Sequence, residues 1–290
     1  MNHSKSISII GRGAVGMVMF DFFVKNNYPI RSVWDRSSGF IFDSDDGSKK
    51  KMSTQSSFPN DEKDLGDFVF LAVPDDQIKI VTKRLSEISI DWNSRSVIHF
   101  SGNLVAEECS LLKDHGAAIA SMHPIQTFTS GDRCERLKGI TISLQGQSSL
   151  CLELSEMVIE MGANPMHISA EQKGILHIAA VFSSNYIVSL LNISDNLLSQ
   201  SGLKSGIEIL EPLLKQTVQN ITSKGITEAL TGPVSRGDYK SVQKHINHLQ
   251  KNRNILDLYK KLGSEALKIA KKKGDLSDLQ INRLEDILNG

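Results

Sequence analysis

Three residues of this chain have side chains suited to moving a proton beside a small substrate: Lys173, His177 and His123. Lysine offers a charge throughout the neutral range, and imidazole titrates close to it. On a helix of about 100° per residue, Lys173, His177 and Ser184 fall within about 40° of one another, with Asn185 about 80° further round. Asn192 and Asp195 continue that side, and the remainder of 170–200 is largely Ile, Leu, Val, Ala and Phe. A helix apolar nearly all round is a buried helix, so its polar stripe must meet a partner, water or a ligand. An internal hydrogen-bond network and the wall of a substrate cleft both satisfy that demand. In the second case Ser184 and Asn185 would bind a substrate hydroxyl or carboxylate. A Gly- and Pro-containing turn at 231–238, TGPVSRGD, adds Arg236, either a surface charge or a bidentate clamp for a carboxylate. Asp238 can cap the helix that follows it.

A second constellation lies at the start of the chain. An apolar run with Ile7, Ile9 and Ile10 is followed by Gly11, Arg12, Gly13, Ala14, Val15 and Gly16, and then by a helical pattern. G-x-G-x-x-G between a strand and a helix serves a pyrophosphate: a tight turn, a close backbone approach, and close helix–strand packing. The free N–H groups at the helix start face the anion. A second strand at 30–34 ends at Asp35, nineteen residues past Gly16, where an acidic residue commonly meets the adenosine ribose. Asp35 favours a free ribose hydroxyl, whereas Arg36, Ser37 and Ser38 favour a 2′-phosphate through charge-assisted hydrogen bonds. The reading adopted is NADP, as NADPH, ahead of NAD, with Asp35 turned away and Arg36 holding the phosphate.

Alternating strands and helices must position these groups. Buried strands are expected at 67–73 and 96–100, and further strands at 117–122, 139–144 and 166–168, with helices at about 75–87 and 148–161. Residues 39–63 are a polar connection with one short strand near 51–55 and no chemistry of their own. In doubly wound sheets ligands sit beyond the carboxyl ends of strands. Ala72, Val73 and Pro74 therefore belong beside the cofactor, with Asp75 or Asp76 as a helix cap. Ser101 and Gly102 belong near its nicotinamide end. From 169 onward no strand follows: one long helix to about residue 200 ends at Gly202, and helices follow at 204–223, 239–250, 254–274 and 278–288. The expected fold class is α/β, a mostly parallel sheet domain over 1–168 followed by an all-α substrate and dimerisation domain over 169–290.

The bulk properties exclude several classes. Lys+Arg and Asp+Glu are both 33, so no net field draws the chain to nucleic acid or an anionic membrane. Cys109, Cys134 and Cys151 show no C-x-x-C spacing and leave an odd thiol, arguing against a disulfide framework. No metal-ligand set is expected. The first strand begins within a few residues of Met1, and no uninterrupted apolar run approaches membrane-spanning length, so a cytoplasmic protein is expected.

GRGAVG, DFVFLAVPD, SMHPIQTF, the K-x-x-x-H helix with SSNY, and TGPVSRGD together resemble the DUF2520 group over nearly the whole chain. That group has a Rossmann-like N-terminal half and a helical C-terminal half. It is similar to the 6-phosphogluconate-dehydrogenase-like reductases, which include pyrroline-5-carboxylate reductase, prephenate dehydrogenase and ketopantoate reductase. His123-Pro124 resembles the catalytic His-Pro of prephenate dehydrogenases. Lys173 and Asn185 are similar to the Lys and Asn on the first long helix of ketopantoate and hydroxyacid members. Their separation is longer here than the i, i+4 pair of those dehydrogenases, which puts His177 in contention for the place of Lys173. Some members of the group act as an alternative ketopantoate reductase, so the resemblance implies reduction of 2-dehydropantoate to pantoate, in pantothenate synthesis.

The expectation is an NADPH-dependent reductase of a small 2-oxo acid, with Lys173, His177 or His123 as proton donor, in that order. One alternative is an imine or cyclohexadienyl substrate, of pyrroline-5-carboxylate or prephenate type. Another is a protein that binds NADP without turnover. A homodimer is expected, because a long apolar helix opening the second domain is often buried between subunits in this class.

Overall fold

Ile7–Ile10 (β1) is four residues buried on every side, and such a strand needs a neighbour on each edge. It pairs in parallel with Ile30–Trp34 (β2) on one edge and with Phe68–Leu71 (β5) on the other. A computed structural model describes residues 5–36, 39–42, 51–54, 58–203 and 206–290, with backbone alone for 39–42 and 51–54. Beyond β5 the sheet continues through Ser96–His99 (β6), Ala118–Pro124 (β7), Thr141–Gly146 (β8) and Asn164–His167 (β9), in the order β2-β1-β5-β6-β7-β8-β9. All pairs are parallel except β7 with β8. The strand order reverses between β1 and β5, and the crevice at their carboxyl ends is the switch point where doubly wound sheets take ligands.

The helices of this part are Ala14–Lys25 (α1), Asp75–Ser86 (α2), Ser110–Asp114 (α3) and Ser148–Glu160 (α4). Two apolar layers form, one holding Phe22, Phe23, Phe70 and Met122, the other Ile78, Leu85, Trp92 and Leu112. Phe70 and Phe100 stack with ring centroids 5.5 Å apart. Gly39–Phe42 (β3) and Lys51–Thr54 (β4) form an antiparallel pair outside the main sheet. The first of these strands was not anticipated, because its flanking sequence is polar. Pro74, not an aspartate, caps α2, and Asp75 and Asp76 lie in its first turn, where their charge still suits the helix dipole.

Ala170–Ser183 (α5) and Asn185–Gln200 (α6) replace the single long helix expected. Ser184 leaves the helical region at φ −132° and ψ −75°. Its hydroxyl donates to Ala180 O at 2.7 Å, the back-bonding that bends helices at serine. The chain divides into two compact units, 1–185 and 186–290, so α5 packs with the sheet although the change to all-helical structure falls at 168–169. The second unit continues with Gly206–Lys224 (α7), Ile226–Ala229 (α8), Tyr239–Leu249 (α9), Arg253–Lys273 (α10) and Asp278–Asn289 (α11). Val242, Ile246, Leu267, Leu284 and Leu288 of α9, α10 and α11 make its core. Among the described residues α6 buries none and α7 only Gly206.

Ala170–Gln200 is also long and apolar enough to cross a membrane by length and composition alone, its 31 residues holding an 18-residue window of mean hydropathy 1.6. The expectation that nothing approached that length counted uninterrupted runs, and the scattered Ser and Asn residues barely lower a window mean.

Candidate active site and nucleotide cradle

The turn after β6 is held by six hydrogen bonds. His99, wholly buried, accepts from Ser101 N at Nδ1 (3.2 Å) and donates from Nε2 to Val105 O (3.0 Å), which fixes its tautomer. Ser101 Oγ accepts from the backbone of Asn103 and Leu104. Ser101 O accepts from Ser121 Oγ and, at 2.8 Å, from Lys173 Nζ. Lys173 also donates to Ser121 Oγ at 2.6 Å and is 1% exposed. Burial lowers its pKa to about 8, against the pull of the Asp75 carboxylate.

His123 and His177 flank this turn, ring centroids 6.5 Å apart. His123 Nδ1 donates to Phe100 O at 3.2 Å, so the neutral ring turns the lone pair of Nε2 the other way. A Cβ placed on Gly102 would lie 2.7 Å from that Nε2 and 2.9 Å from His177 Nδ1. Both nitrogens thus converge on the space that the missing side chain leaves open. His177 Nδ1 is buried with no hydrogen-bond partner, a costly state unless a ligand completes it. Burial, then the Lys173 charge, holds the His123 pKa down at about 4; burial leads for His99 as well, also at about 4.

Lys173 and His177 of α5 and the sequence-distant His123 of β7 are therefore brought together around Ser101 and Gly102. Ser184 and Asn185 sit at the break after α5, where the Ser184 hydroxyl meets Asn185 Oδ1 at 2.9 Å. The break ends α5 at Ser183, and Asn192 and Asp195 belong to α6 in the second unit. Arg236 lies in the second unit, its backbone carbonyl accepting from Gln280. Asp238 caps α9 as expected, accepting from Ser241 N. Ser121 and His99 escaped the sequence reading. Ser121 could have been found as a buried polar residue two positions before His123 on the same strand face.

The glycine turn is equally specific. Gly11 has φ +105°, and a Cβ there would meet Ala72 O at 2.2 Å. Gly16 would meet Gly11 O at 2.6 Å. Gly13 starts α1 with no side-chain cap, and the first helical bond is Met17 N to Gly13 O. The N–H groups of Ala14, Val15 and Gly16 are thus left for an anion. Beside them a cavity of about 320 Å³ is lined by Arg12, Asp35, Arg36, Ala72, Val73 and Pro74 among others. The residues present fit a dinucleotide: anion-binding N–H groups, an apolar slot and cations beside it. Ser37 lies outside the described residues. Phe58, Gln77, Ile80 and Arg84 also line the cavity and were missed. Gln77, Ile80 and Arg84 share one face of α2 at helical spacing, and that was the available signal.

Asp21, Cys134 and Glu135 place ligand atoms within 4.8 Å of one another. The Asp21 carboxylate there already meets Arg133 at 3.1 Å and Lys25 at 3.4 Å.

A glycine cradle and an uncapped helix start at the switch point of a parallel sheet define an α/β protein of the dinucleotide-binding, Rossmann-like class. Within it, residues 140–266 match the family model DUF2520, a domain of unknown function, so the resemblance seen in the motifs holds over that segment. No curated protein sequence matches the chain. Similar solved structures include a Thermotoga maritima protein, 24% identical with TM-score 0.69, covering 92% of this chain and 99% of that one. A Bacteroides fragilis protein described as an NADP oxidoreductase is 17% identical with TM-score 0.69 and the same coverage. An imine reductase of Myxococcus stipitatus, solved with NADP+, is 13% identical with TM-score 0.55, covering 96% of this chain and 99% of that one. These likenesses are likenesses of fold.

Proposed function

We propose that the chain is an NADP(H)-dependent oxidoreductase that reduces a small carbonyl compound, a 2-oxo acid, with 2-dehydropantoate as the leading candidate. The observation that carries this reading is the convergence of His123 Nε2 and His177 Nδ1 on Gly102, at the sheet edge that also bears the glycine cradle. The dinucleotide, when bound, supplies the hydride. Gly11, Arg12, Gly13 and the N–H groups of Ala14, Val15 and Gly16 would hold its pyrophosphate. Asp35 and Arg36 would meet its adenosine end, alongside Ala72, Val73 and Pro74, and Ser101 and Gly102 its nicotinamide end.

The protein's remaining task is to hold the reacting oxygen and manage its proton. A neutral His123 offers an acceptor at Nε2. His177 Nδ1 is free to donate, so it takes the role of proton donor. Lys173, buried and committed to Ser101 O and Ser121 Oγ, acts as a positioning residue that fixes the 99–104 turn. This reverses the order expected from the sequence, where Lys173 came first. Ser184, Asn185 and Arg236 remain candidates for the substrate carboxylate.

A second reading, reduction of an imine, draws on the low pKa of His123, since a neutral imidazole tolerates a cationic substrate. We include a homodimer and a cytoplasmic setting in the proposal. The dimer is supported by the exposed apolar side chains of α5, among them Ile175, Ile178 and Phe182. A panel of 2-oxo acids and cyclic imines, followed by loss of NADPH or NADH absorbance, tests the function. Turnover of 2-dehydropantoate with NADPH is the expected result. Turnover of imines alone would select the second reading. Tight NADPH binding with no turnover of any compound would mark a protein that binds the nucleotide without catalysis.

A further inference from the structure

We propose that Arg84, on α2 and outside the loop after β2, determines specificity for a 2′-phosphate, and that Arg12 makes Asp35 compatible with that phosphate. The proposal rests on the NADP(H) reading above. Among the described residues, the cavity beside the glycine turn carries Arg12, Arg36 and Arg84 against the carboxylate of Asp35, three positive charges and one negative. Arg12 Nε lies 3.8 Å from Asp35 Oδ2, so the charge that would repel a phosphate already faces a cation. An unphosphorylated ribose needs only the carboxylate for its hydroxyls. The surplus of about two positive charges matches the roughly −1.5 to −2 carried by a phosphate monoester.

Arg84 is prepared for the contact. Its guanidinium carbon sits 3.9 Å from the centre of the Phe58 ring. This cation–π contact restrains the guanidinium, which reduces the ordering needed to meet a phosphate with two N–H groups. Trp34, Phe58, Ile80 and Val81 form the apolar part of the same cavity, which suits an adenine. Trp34 is itself fixed, its indole N–H donating to Ser32 Oγ at 2.8 Å.

Calorimetric titration of the full-length protein with 2′,5′-ADP and 5′-AMP isolates this end of the nucleotide, and fluorescence titration with NADPH and NADH repeats it on the dinucleotide. Arg84→Ala should weaken 2′,5′-ADP and NADPH roughly tenfold or more and leave 5′-AMP and NADH within about twofold. Arg84→Lys should fall between, because it keeps the charge and loses the planar guanidinium. Arg12→Ala should weaken 2′,5′-ADP, and adding Asp35→Asn should restore much of the loss. Equal weakening of both members of each pair by Arg84→Ala, or no weakening, would overturn the role of Arg84 while wild-type preference for NADPH left the broader reading intact. Wild-type protein that binds no dinucleotide, or prefers NADH, would overturn both. Thermal melts of each variant separate a lost contact from a lost fold.

Discussion

Lys173 donates a 2.8 Å hydrogen bond to the carbonyl oxygen of Ser101, a residue 72 positions earlier in the chain. This bond and its companion to Ser121 join the first helix after the sheet to the turn that carries Gly102. Their cost is a buried ammonium. A lysine whose pKa is about 8 in the folded chain and about 10.5 when unfolded binds fewer protons folded than unfolded between those values. Its burial penalty is therefore fully present below pH 8 and relieved as pH rises toward 10.5. Lys173→Met should remove that rise, on the order of 3 kcal/mol, from denaturant melts taken across pH 8 to 10.5. A variant with the same slope as the parent would place the ammonium in water.

His123 and His99 produce the opposite end of the profile. Both have pKa values near 4 when folded, below the ordinary 6.5. The folded state thus binds fewer protons between pH 4 and 6.5, and stability present at pH 7 is lost as pH falls through that window. His123→Asn should flatten part of the slope in urea melts between pH 4.5 and 7. An unchanged slope would mean that His123 is solvated in the free protein.

His177→Asn should lower turnover by about 10²-fold or more with NADPH affinity little changed, because its Nδ1 lies beside Gly102 and His177 does not line the cavity next to the glycine turn. Near-normal turnover of a substrate found in the panel would remove His177 from the chemistry.

Two glycines should separate the cradle from the reacting end. Gly11→Ala puts a Cβ 2.2 Å from the Ala72 carbonyl at φ +105° and should abolish nucleotide binding while destabilising the fold by about 1–3 kcal/mol. Gly102→Ala meets only imidazole atoms at 2.7–2.9 Å, which can turn aside. It should leave NADPH binding within about threefold and reduce turnover at least tenfold. Equal loss of binding in both variants would contradict this division.

The α5 residues Ile175, Ile178 and Phe182 are 68%, 53% and 63% exposed. Contiguous apolar surface of this kind marks an interface. Sedimentation at micromolar concentration should give a dimer, and Phe182→Glu with Ile178→Glu should give a monomer. A monomeric parent would sink the dimer, and partition of the parent into vesicles would assign the face to lipid.

What the residues alone determined is the part of the molecule governed by short-range rules. G-x-G-x-x-G between an apolar run and a helical pattern is a local instruction, since turn, close approach and helix start are contiguous in sequence. The same holds for Asp238 as a helix cap. Lys173 and His177 could be placed on one face because helical phase carries over four residues. That phase could not be carried past Ser184, where one serine back-bond ends it. Tertiary structure alone decided which polar groups meet. Ser121 and His99 are unremarkable in sequence until two adjacent strands bring them, with Ser101, beneath Lys173. The pairing of His123 with His177 across Gly102 likewise depends on the antiparallel turn from β7 and on the seat of α5. Burial, a property of the packed molecule, lowers the pKa of both Lys173 and His123, and it is the pair of hydrogen bonds held by Lys173 that leads us to propose His177 as the proton donor in its place.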